Sequence, residues 1–553
     1  MSAIPLPARP HRAQGPGLPR LPLSAPCLVA LLSVYWALLA NRAFLSGAQA
    51  ALQGGAPRLG PQLALLVFLS LLHYLLLAPW VWRPWAKPLL ALLALVAGVS
   101  SHFTQQLGSV LDPAMLRNAL HTDWAEAREL LSVSLLLHGL GLAAPVWLLL
   151  AQVRLRPARR LGVALWLAAL LAFVALLLAQ YQMLAPLMRN HKALRYQIVP
   201  AAPLWSLPRA LLAPSVAVAG EREPIGQDAR PGPSWAQAAR PRLLVLVVGE
   251  TVRAANWGHR QLEDGSLRNT TPLLDAEADL LRWPRVQTCG TDTETSLPCM
   301  FAPVGRRDYD EARIRRQQSL LHVLARAGVQ TQWIDNQSGC KGVCDGLPTE
   351  TLSCEGGRCL DDALFERLPQ AIERARGQGG VHLLVLHMLG NHGPAYHRRV
   401  PADFAPYEPA CRHDDLSRCE RAEVVNAFDN ALRHSDALLA AAWQRLRAAQ
   451  GGLDTAMLFI PDHGESLGEQ GLYLHGLPYA IAPREQTEVP MLLGLSSSWR
   501  QTLQQRGWRA DCLAPLTQQP LRHDHLFHSL LSLLDVRTQL YEPAWDGFAG
   551  CPS

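Results

Sequence analysis

A chain of 553 residues exceeds one ordinary domain, so two or three are expected. Its 49% apolar and 17% charged residues are unevenly spread, with Leu and Ala crowding the first third, which excludes a wholly soluble protein and puts part of the chain in lipid. The net charge of +6 and pI near 8.8 do not signal nucleic acid, because no Lys/Arg run interleaved with aromatics follows the apolar third and many arginines flank apolar stretches.

Five apolar stretches come close to the roughly 20 residues that a membrane-crossing helix needs. They run from Ala25 to Leu45, Gln62 to Trp82, Ala86 to Gln106, Leu130 to Ala151 and Leu161 to Gln180. The third is weakened at its end by Ser100, Ser101 and His102. No small-residue cleavage site follows the first at the right distance, so it is expected to stay as an anchor. Arg9, Arg12, Arg20, Arg83, Lys87, Arg154, Arg156, Arg159 and Arg160 fall on one side of the spans, and only Arg42, Arg58, Arg117 and Arg128 on the other. The basic side is expected to be cytoplasmic, which puts the N-terminus inside and everything after Tyr181 outside. Trp80, Trp82 and Trp85 suit an interfacial belt. These expectations define residues 1–181 as a five-helix transmembrane domain.

Residues 182–240 are Pro-rich, with Pro214, Pro224, Pro231 and Pro233, and read as a linker able to carry interfacial helices. Residues 241–553 then alternate short apolar runs with helical patterns. Leu243–Val248, Gln330–Ile334, Leu383–Leu386, Ala456–Ile460 and Val489–Leu493 suit buried parallel strands, while 313–327, 363–376 and 421–449 carry helical periodicity. This predicts an α/β sandwich with a mostly parallel sheet, whose ligands gather at the carboxyl ends of the strands.

Of the 11 cysteines, Cys27 lies in the first apolar stretch and the others lie downstream as close sequential pairs. An oxidising compartment permits such pairs. Cys340 and Cys344 also have finger-like spacing, but no matching His/Cys set follows at a usual interval.

Three apolar runs lead into unusual residues. Leu243–Val248 runs into Gly249-Glu250-Thr251, Leu383–Leu386 towards Gly390-Asn391-His392-Gly393, and Ala456–Ile460 into Pro461-Asp462-His463-Gly464-Glu465. One carboxylate or histidine at a strand end is commonly a cap. Three together point to a site. A fourth motif runs from Cys289 to Cys299, CGTDTETSLPC, where two cysteines ten apart can staple a loop around a hydroxyl. Threonine is a poor nucleophile unless a base or metal activates it. Zinc lowers the pKa of bound water from about 15.7 to about 7, and two carboxylates, one imidazole and one threonine oxygen suit its tetrahedral preference.

Five segments, VVGETVRAANWG (Val247–Gly258), CGTDTETSLPCMF (Cys289–Phe301), DNQSGCKGVCD (Asp335–Asp345), GNHGPAYH (Gly390–His397) and PDHGESLGEQGLYLHG (Pro461–Gly476), together resemble the lipid A phosphoethanolamine transferases. That family includes the mobile colistin-resistance enzymes and carries an alkaline-phosphatase/sulfatase-like domain. The resemblance covers nearly the whole chain. It implies Glu250, Thr293, Asp462 and His463 as zinc ligands, Thr293 also as the residue that becomes phosphorylated, and His392 and His475 as contacts of the transferred phosphate or of a second zinc in turnover. It places Lys341 near the donor headgroup. Asn118, Thr122 and Glu126, spaced i, i+4, i+8, would share one helix face and resemble donor-site positions. The implied disulfides are Cys289–Cys299, Cys340–Cys344, Cys354–Cys359, Cys411–Cys419 and Cys512–Cys551, with Cys27 reduced. The implied activity is zinc-dependent, ping-pong transfer of phosphoethanolamine from phosphatidylethanolamine to lipid A in a bacterial inner membrane, with a periplasmic catalytic domain and a gain in polymyxin resistance. The alternatives are the same chemistry on Kdo or heptose of the core, or a hydrolase of the sulfatase/phosphatase superfamily.

Overall fold

A computed structural model of the chain describes residues 21–52, 59–81, 83, 85–122, 124–156, 158–212, 222–262, 264–337, 339–354, 359–506, 508–509 and 513–548. Arg9, Arg12, Arg20, Arg58, Trp82, Pro214, Cys512 and Cys551 lie outside the described residues. The chain divides into two compact units, Met1–His102 with Leu135–Pro203, and Phe103–Ser134 with Leu204–Ser553.

The first unit is helical, with α1 (Ala25–Leu39), α2 (Arg42–Leu52), α3 (Leu59–Leu77) and α4 (Ala86–Gln106). After α5 (Pro113–His121) and α6 (Trp124–Leu130), which belong to the second unit, it resumes with α7 (Val133–Gln152) and α8 (Arg159–Ala179). Among the described residues, four helical stretches are long and apolar enough to cross a membrane: Leu59–Trp80, Ala86–Gln106, Val133–Gln152 and Arg159–Ala179. The expected first span is instead the pair α1 and α2, bent by 58°, and counts as a fifth only if the pair is one span. Asn41 accounts for the bend. Its buried side-chain amide donates to Trp36 O (2.8 Å) and Val199 O (2.7 Å) and accepts from Val199 N (2.8 Å), inserting a side chain where the helical ladder would continue. Helices α4 and α7 touch at Gly98, where a Cβ would meet Gly139 O at 2.4 Å, a contact that only small residues allow. A short strand, Leu21–Ser24, pairs in parallel with Val153–Arg156, and Lys87 Nζ donates to Leu150 O (2.6 Å). The start of α1, the start of α4 and the α7–α8 connection therefore share one end of the unit.

The second unit is built on an eight-stranded sheet. Its strands are β1 (Arg242–Gly249), β2 (Leu281–Gln287), β3 (Gln330–Asp335), β4 (Thr349–Thr351), β5 (Val381–His387), β6 (Asp454–Pro461), β7 (Glu488–Leu495) and β8 (Leu521–Arg522), in the order β8-β2-β7-β6-β1-β5-β3-β4. Strands β1, β5 and β6 are buried along their whole length, because both faces are covered. Leu244, Leu246 and Val248 point into one core and Leu243, Val245 and Val247 into the other, the period-2 alternation of a strand. The long helix Arg421–Ala448 covers the second of these faces with Val424, Phe428, Leu432, Leu439 and Trp443.

The sheet is mixed. Strand β7, expected as one of the parallel strands, runs antiparallel to both β6 and β2. The connection from Pro461 to Glu488 contains no helix longer than Arg484–Thr487, so the chain never returns to the opposite edge before re-entering the sheet. The helix expected across 313–327 is also two, Glu311–Arg316 and Leu320–Arg326. Ser319 interrupts it, because its hydroxyl accepts from Leu321 N (3.1 Å) and caps the second helix. Disulfides join Cys289–Cys299, Cys340–Cys344, Cys354–Cys359 and Cys411–Cys419, and Cys27 is free.

Candidate metal centre and nucleophile

Strands β1 and β6 are neighbours in register, Ile460 beside Val248 and Pro461 beside Gly249, so Glu250 and Asp462 leave the sheet side by side. Strand β5 flanks β1 on its other side and delivers the 390–392 turn. Gly390 lies at φ 52°, where an added Cβ would meet Glu250 O at 2.7 Å, so only glycine lets this turn rest on Glu250. Its position is fixed by Asn391 N donating to Glu250 O (3.0 Å), and by Leu389 N and Gly390 N donating to the buried Asp361 carboxylate (2.9 and 3.0 Å).

Thr293 opens the helix Thr293–Met300. Asp292 caps that helix by accepting from Thr295 N (2.9 Å), and Ser296 Oγ donates to Asp462 O (2.5 Å). Gly290 makes the tight turn into it, since a Cβ there would meet Ser296 N at 2.8 Å. With the Cys289–Cys299 bond closing the base, the Thr293 hydroxyl is held over the strand ends. It donates to Glu250 Oε2 (3.0 Å) and lies 3.3 Å from His463 Nε2.

His463 Nδ1 donates to Gly464 O (2.9 Å), which leaves the Nε2 lone pair facing the site. Nε2 lies 3.3 Å from Glu250 Oε1 and 3.5 Å from Asp462 Oδ2. Glu250, Asp462 and His463 are all fully buried, and their ligand atoms lie within 4.8 Å of one another. Among the described residues, neither Glu250 Oε1 nor Asp462 Oδ2 has a hydrogen-bond donor. Burial, then the charge of Asp462, pushes the Glu250 carboxyl up; burial pushes Asp462 up to about 6. Burial, then the positive charge of His475, pulls His463 down to about 4. Acceptor atoms converging on one point without a proton between them are what a divalent cation satisfies, and two carboxylates, a neutral imidazole and a hydroxyl are a donor set that zinc accepts. The backbone is strained beside it: Thr251, at φ 55°, donates its N–H to Asp462 Oδ1 (3.4 Å).

A second cluster adjoins the first. The His475 ring lies 4.5 Å from that of His463 and 5.4 Å from that of His392. Each of these two histidines has its own carboxylate, His475 Nδ1 with Glu465 (3.3 Å) and His392 Nε2 with Glu126 of α6 (3.3 Å). Burial alone would strip both of their protons. The charge and hydrogen bond of Glu465 outweigh it at His475, pushing that ring up to about 10, and Glu126 does the same in direction at His392. Both shifts favour the protonated imidazole, beside the pair formed by Thr293 and His463.

Lys341, in the loop closed by Cys340–Cys344, brings Nζ to 3.7 Å from Glu294 Oε2, one residue from Thr293. Glu294 also accepts from Arg315 (2.9 Å), which bonds Glu311 (3.1 Å), which in turn pairs with Arg117 of α5 (3.2 Å). The expected single helix through Asn118, Thr122 and Glu126 is broken. Thr122 is extended (φ −61°, ψ 128°), and its hydroxyl donates to Asn118 O (2.9 Å), a local bond that competes with the helical ladder. Glu126 reaches the site, whereas Thr122 turns its hydroxyl back onto Asn118 O.

Sequence reasoning passed over three residues, two inside the motifs it used and Arg399 just beyond one. Glu465 holds His475. Gln337 Nε2 donates to Glu250 Oε2 (3.3 Å) and to Met388 O, bracing a metal-side carboxylate. Arg399 Nε donates to His392 O (2.7 Å) and Nη2 to Glu129 Oε2 (2.5 Å), tying the 390–399 loop to α6. Only Glu465 carried a signal, as the second acid of a strand-end Asp-His-Gly-Glu.

Residues 242–536 match the sulfatase family, and residues 69–213 match the family described as phosphoethanolamine transferase EptA/EptB. The chain is 35% identical over 488 residues to the phosphoethanolamine transferase EptA of Escherichia coli strain K12, covering 84% of this chain and 85% of that one. It is 36% identical over 471 residues to the phosphatidylethanolamine transferase Mcr-1 of Escherichia coli, covering 81% and 84%. Among solved structures it is similar to the integral membrane lipooligosaccharide phosphoethanolamine transferase A (EptA) of Neisseria meningitidis, with a TM-score of 0.87, 31% identity, and coverage of 96% of this chain and 99% of that one.

Proposed function

Because the chain belongs to the lipid A phosphoethanolamine transferase family of the alkaline phosphatase superfamily, we propose that it moves phosphoethanolamine from phosphatidylethanolamine to lipid A through a phosphorylated Thr293. The observation that carries this is the Thr293 hydroxyl at a helix N-terminus, hydrogen-bonded to the buried Glu250 carboxylate and 3.3 Å from His463 Nε2, within the cluster of Glu250, Asp462 and His463.

Glu250, Asp462, His463 and Thr293 would hold zinc, which supplies, when bound, the positive charge that acidifies a neighbouring hydroxyl. In the first half-reaction the Thr293 Oγ1–phosphorus bond forms and the bond from phosphorus to the diacylglycerol oxygen breaks. The hydroxyl proton leaves toward Glu250 Oε2, and the departing oxygen takes a proton from solvent water. His392 and His475 balance the charge on the non-bridging oxygens as it redistributes. Lys341 orients the donor from beside Glu294, and Glu126 offers a carboxylate for the ethanolamine ammonium. In the second half-reaction an oxygen of the acceptor phosphate attacks phosphorus, the bond to Thr293 breaks, and Oγ1 regains its proton. The helical unit anchors the enzyme in the inner membrane with the basic end cytoplasmic and the sheet unit periplasmic, where donor and acceptor are both lipids.

Thr293→Ala should abolish diacylglycerol release from the donor while leaving the fold intact. Release at the normal rate would exclude Thr293 as nucleophile. In a susceptible Gram-negative host, expression should add one phosphoethanolamine mass to lipid A. It should also raise polymyxin tolerance, because an ammonium beside the phosphate offsets the charge that polycations bind. Glu250→Ala should erase both effects. A mass gain confined to core sugars would move the acceptor to Kdo or heptose.

A further inference from the structure

Arg306 follows the nucleophile helix and has a setting that the chemistry above does not use. Its guanidinium lies 3.9 Å from the ring centre of Tyr479 and 4.8 Å from that of Tyr309, within cation–π range of both. Its one hydrogen bond is a long one, from Nη1 to Cys289 O (3.4 Å), and among the described residues no carboxylate lies within ion-pair distance of it. The acids nearby are engaged. Asp524 accepts from Arg307 N (2.7 Å) and faces Arg522 at 3.5 Å, Glu542 accepts from Arg307 Nη2 (2.5 Å), and Asp308 faces Arg307 at 3.8 Å.

The platform is fixed to the nucleophile loop. Tyr479 OH donates to Thr288 O (2.8 Å) and accepts from Gln287 Nε2 (3.1 Å). Gly476 N donates to Thr291 O (2.8 Å), and Thr291 Oγ1 donates to Leu477 O (2.6 Å). The 475–479 segment thus presents His475 to the centre at one end and Tyr479 to Arg306 at the other. On the other flank, burial and then the charges of Glu311 and Asp292 push the Tyr309 hydroxyl up to about 12, consistent with a ring close to the residue before Thr293. Tyr309, Tyr479 and Arg306 are all partly exposed.

A guanidinium within cation–π reach of two rings, with most of its five donors unused among the described residues, is preorganised for bidentate recognition of an oxyanion. The transferred group is already met by the histidines and the metal ligands, and the donor carries no second anion. A polyanionic acceptor does. We propose that Arg306, braced by Tyr309 and Tyr479, docks a second anionic group of the acceptor glycolipid and so aligns its reacting phosphate with the phosphorylated Thr293. This rests on the transferase reading above and assigns the acceptor side of that same site.

The test uses the full-length, zinc-loaded protein in lipid nanodiscs and reads the half-reactions separately. Arg306→Gln should leave diacylglycerol release in the first turnover within about twofold of the parent. With lipid A carrying two phosphates it should raise KM for the acceptor about tenfold with little change in kcat. With lipid A carrying one phosphate and no acidic sugar, parent and variant should have the same high KM. If adding an acidic sugar to the monophosphorylated lipid restores a low KM in the parent alone, the docked group includes carboxylate. Arg306→Lys, which keeps the charge but not the plane, should fall between, and Tyr479→Leu should reproduce part of the loss. The proposal is overturned if Arg306→Gln keeps the parent's preference for the second anion, or if it slows diacylglycerol release as much as acceptor transfer. Absence of a phosphorylated Thr293 in the parent would instead overturn the two-step reading itself.

Discussion

Glu250 and Asp462 on one side of the site, and Glu126 and Glu465 on the other, are all carboxylates near a histidine, but they sit in opposite electrostatic settings. On the first side two acids share one neutral imidazole, and two of their oxygens have no donor among the described residues. On the second side each acid has a histidine to itself and favours its protonated form. The residue types are the same, and the ratio differs. Two acids per histidine leave a gap for a cation. One acid per histidine fills it from within, leaving the imidazolium protons free to face the substrate.

The sharpest way to break this comparison is Asp462→Asn, which keeps the volume and removes one negative charge. Zinc affinity should fall by on the order of a hundredfold or more, and phosphoryl transfer should fall with it. Retention of zinc at parental affinity, read by calorimetry and metal analysis, would mean that the three acceptors do not form the binding site. Glu465→Gln should have the next largest effect, about ten- to a hundredfold on the first half-reaction, with zinc content unchanged. Loss of zinc along with activity would show that the two sides are one site. Glu126→Gln should cost less, about three- to tenfold and mainly in donor KM, because His392 keeps its backbone tie through Arg399.

How far these assignments were legible before any coordinates follows from where each residue's partner lies. Glu250, Asp462 and His463 could be read because a buried strand running into an acid or a histidine is uncommon and three such strands converge. Thr293 could be read because two cysteines bracket it. The partners Gln337 and Arg399 could not, since their roles depend on Glu250, 87 residues away, and on Glu129, 270 residues away. The reversed direction of β7 was hidden because the short apolar run Val489–Leu493 has no polarity that shows which way it enters the sheet. The break at Thr122 was hidden because i, i+4 spacing is blind to a hydroxyl that bonds its own helix. In the helical unit, hydropathy located the stretches and missed the bend, since one Asn among apolar residues hardly changes a window average.

The smallest expected effect concerns what supports the second side. Arg253 Nη1 donates to Glu465 O (2.9 Å), and its Nη2 pairs with Glu469 (2.8 Å). Burial works to raise the Glu469 carboxyl, but the charge and hydrogen bond of Arg253 outweigh it and hold it down to about 2, against an ordinary 4.5. A depressed folded pKa contributes stability above the unfolded value, and that contribution is lost as pH falls from 4.5 toward 2. Glu469→Gln should therefore be less stable than the parent near neutrality by on the order of 1–2 kcal/mol after solvent screening. The gap should close on acidification through that window. Denaturant unfolding that showed a constant gap would exclude the ion pair as its source.

Residues 103–134 and 204–553 form one compact unit, although α7 and α8 stand between them in the chain. Arg117, Glu126 and Glu129 therefore meet Glu311, His392 and Arg399 only after some two hundred further residues have been synthesised. The ion pairs beside the 390–392 turn are among the longest loop closures between the described residues, and they cannot form early in folding. A fragment cut after α8, the obvious place to divide the chain for crystallisation or inhibitor screening, would keep every strand of the sheet. It would also leave Arg399, only 3% exposed at its side chain, without its carboxylate. Breaking such a buried pair costs about 3–5 kcal/mol, so the 390–399 loop of that fragment should relax. Compounds selected against the fragment would then be fitted to a pocket whose histidine wall differs from that of the whole enzyme.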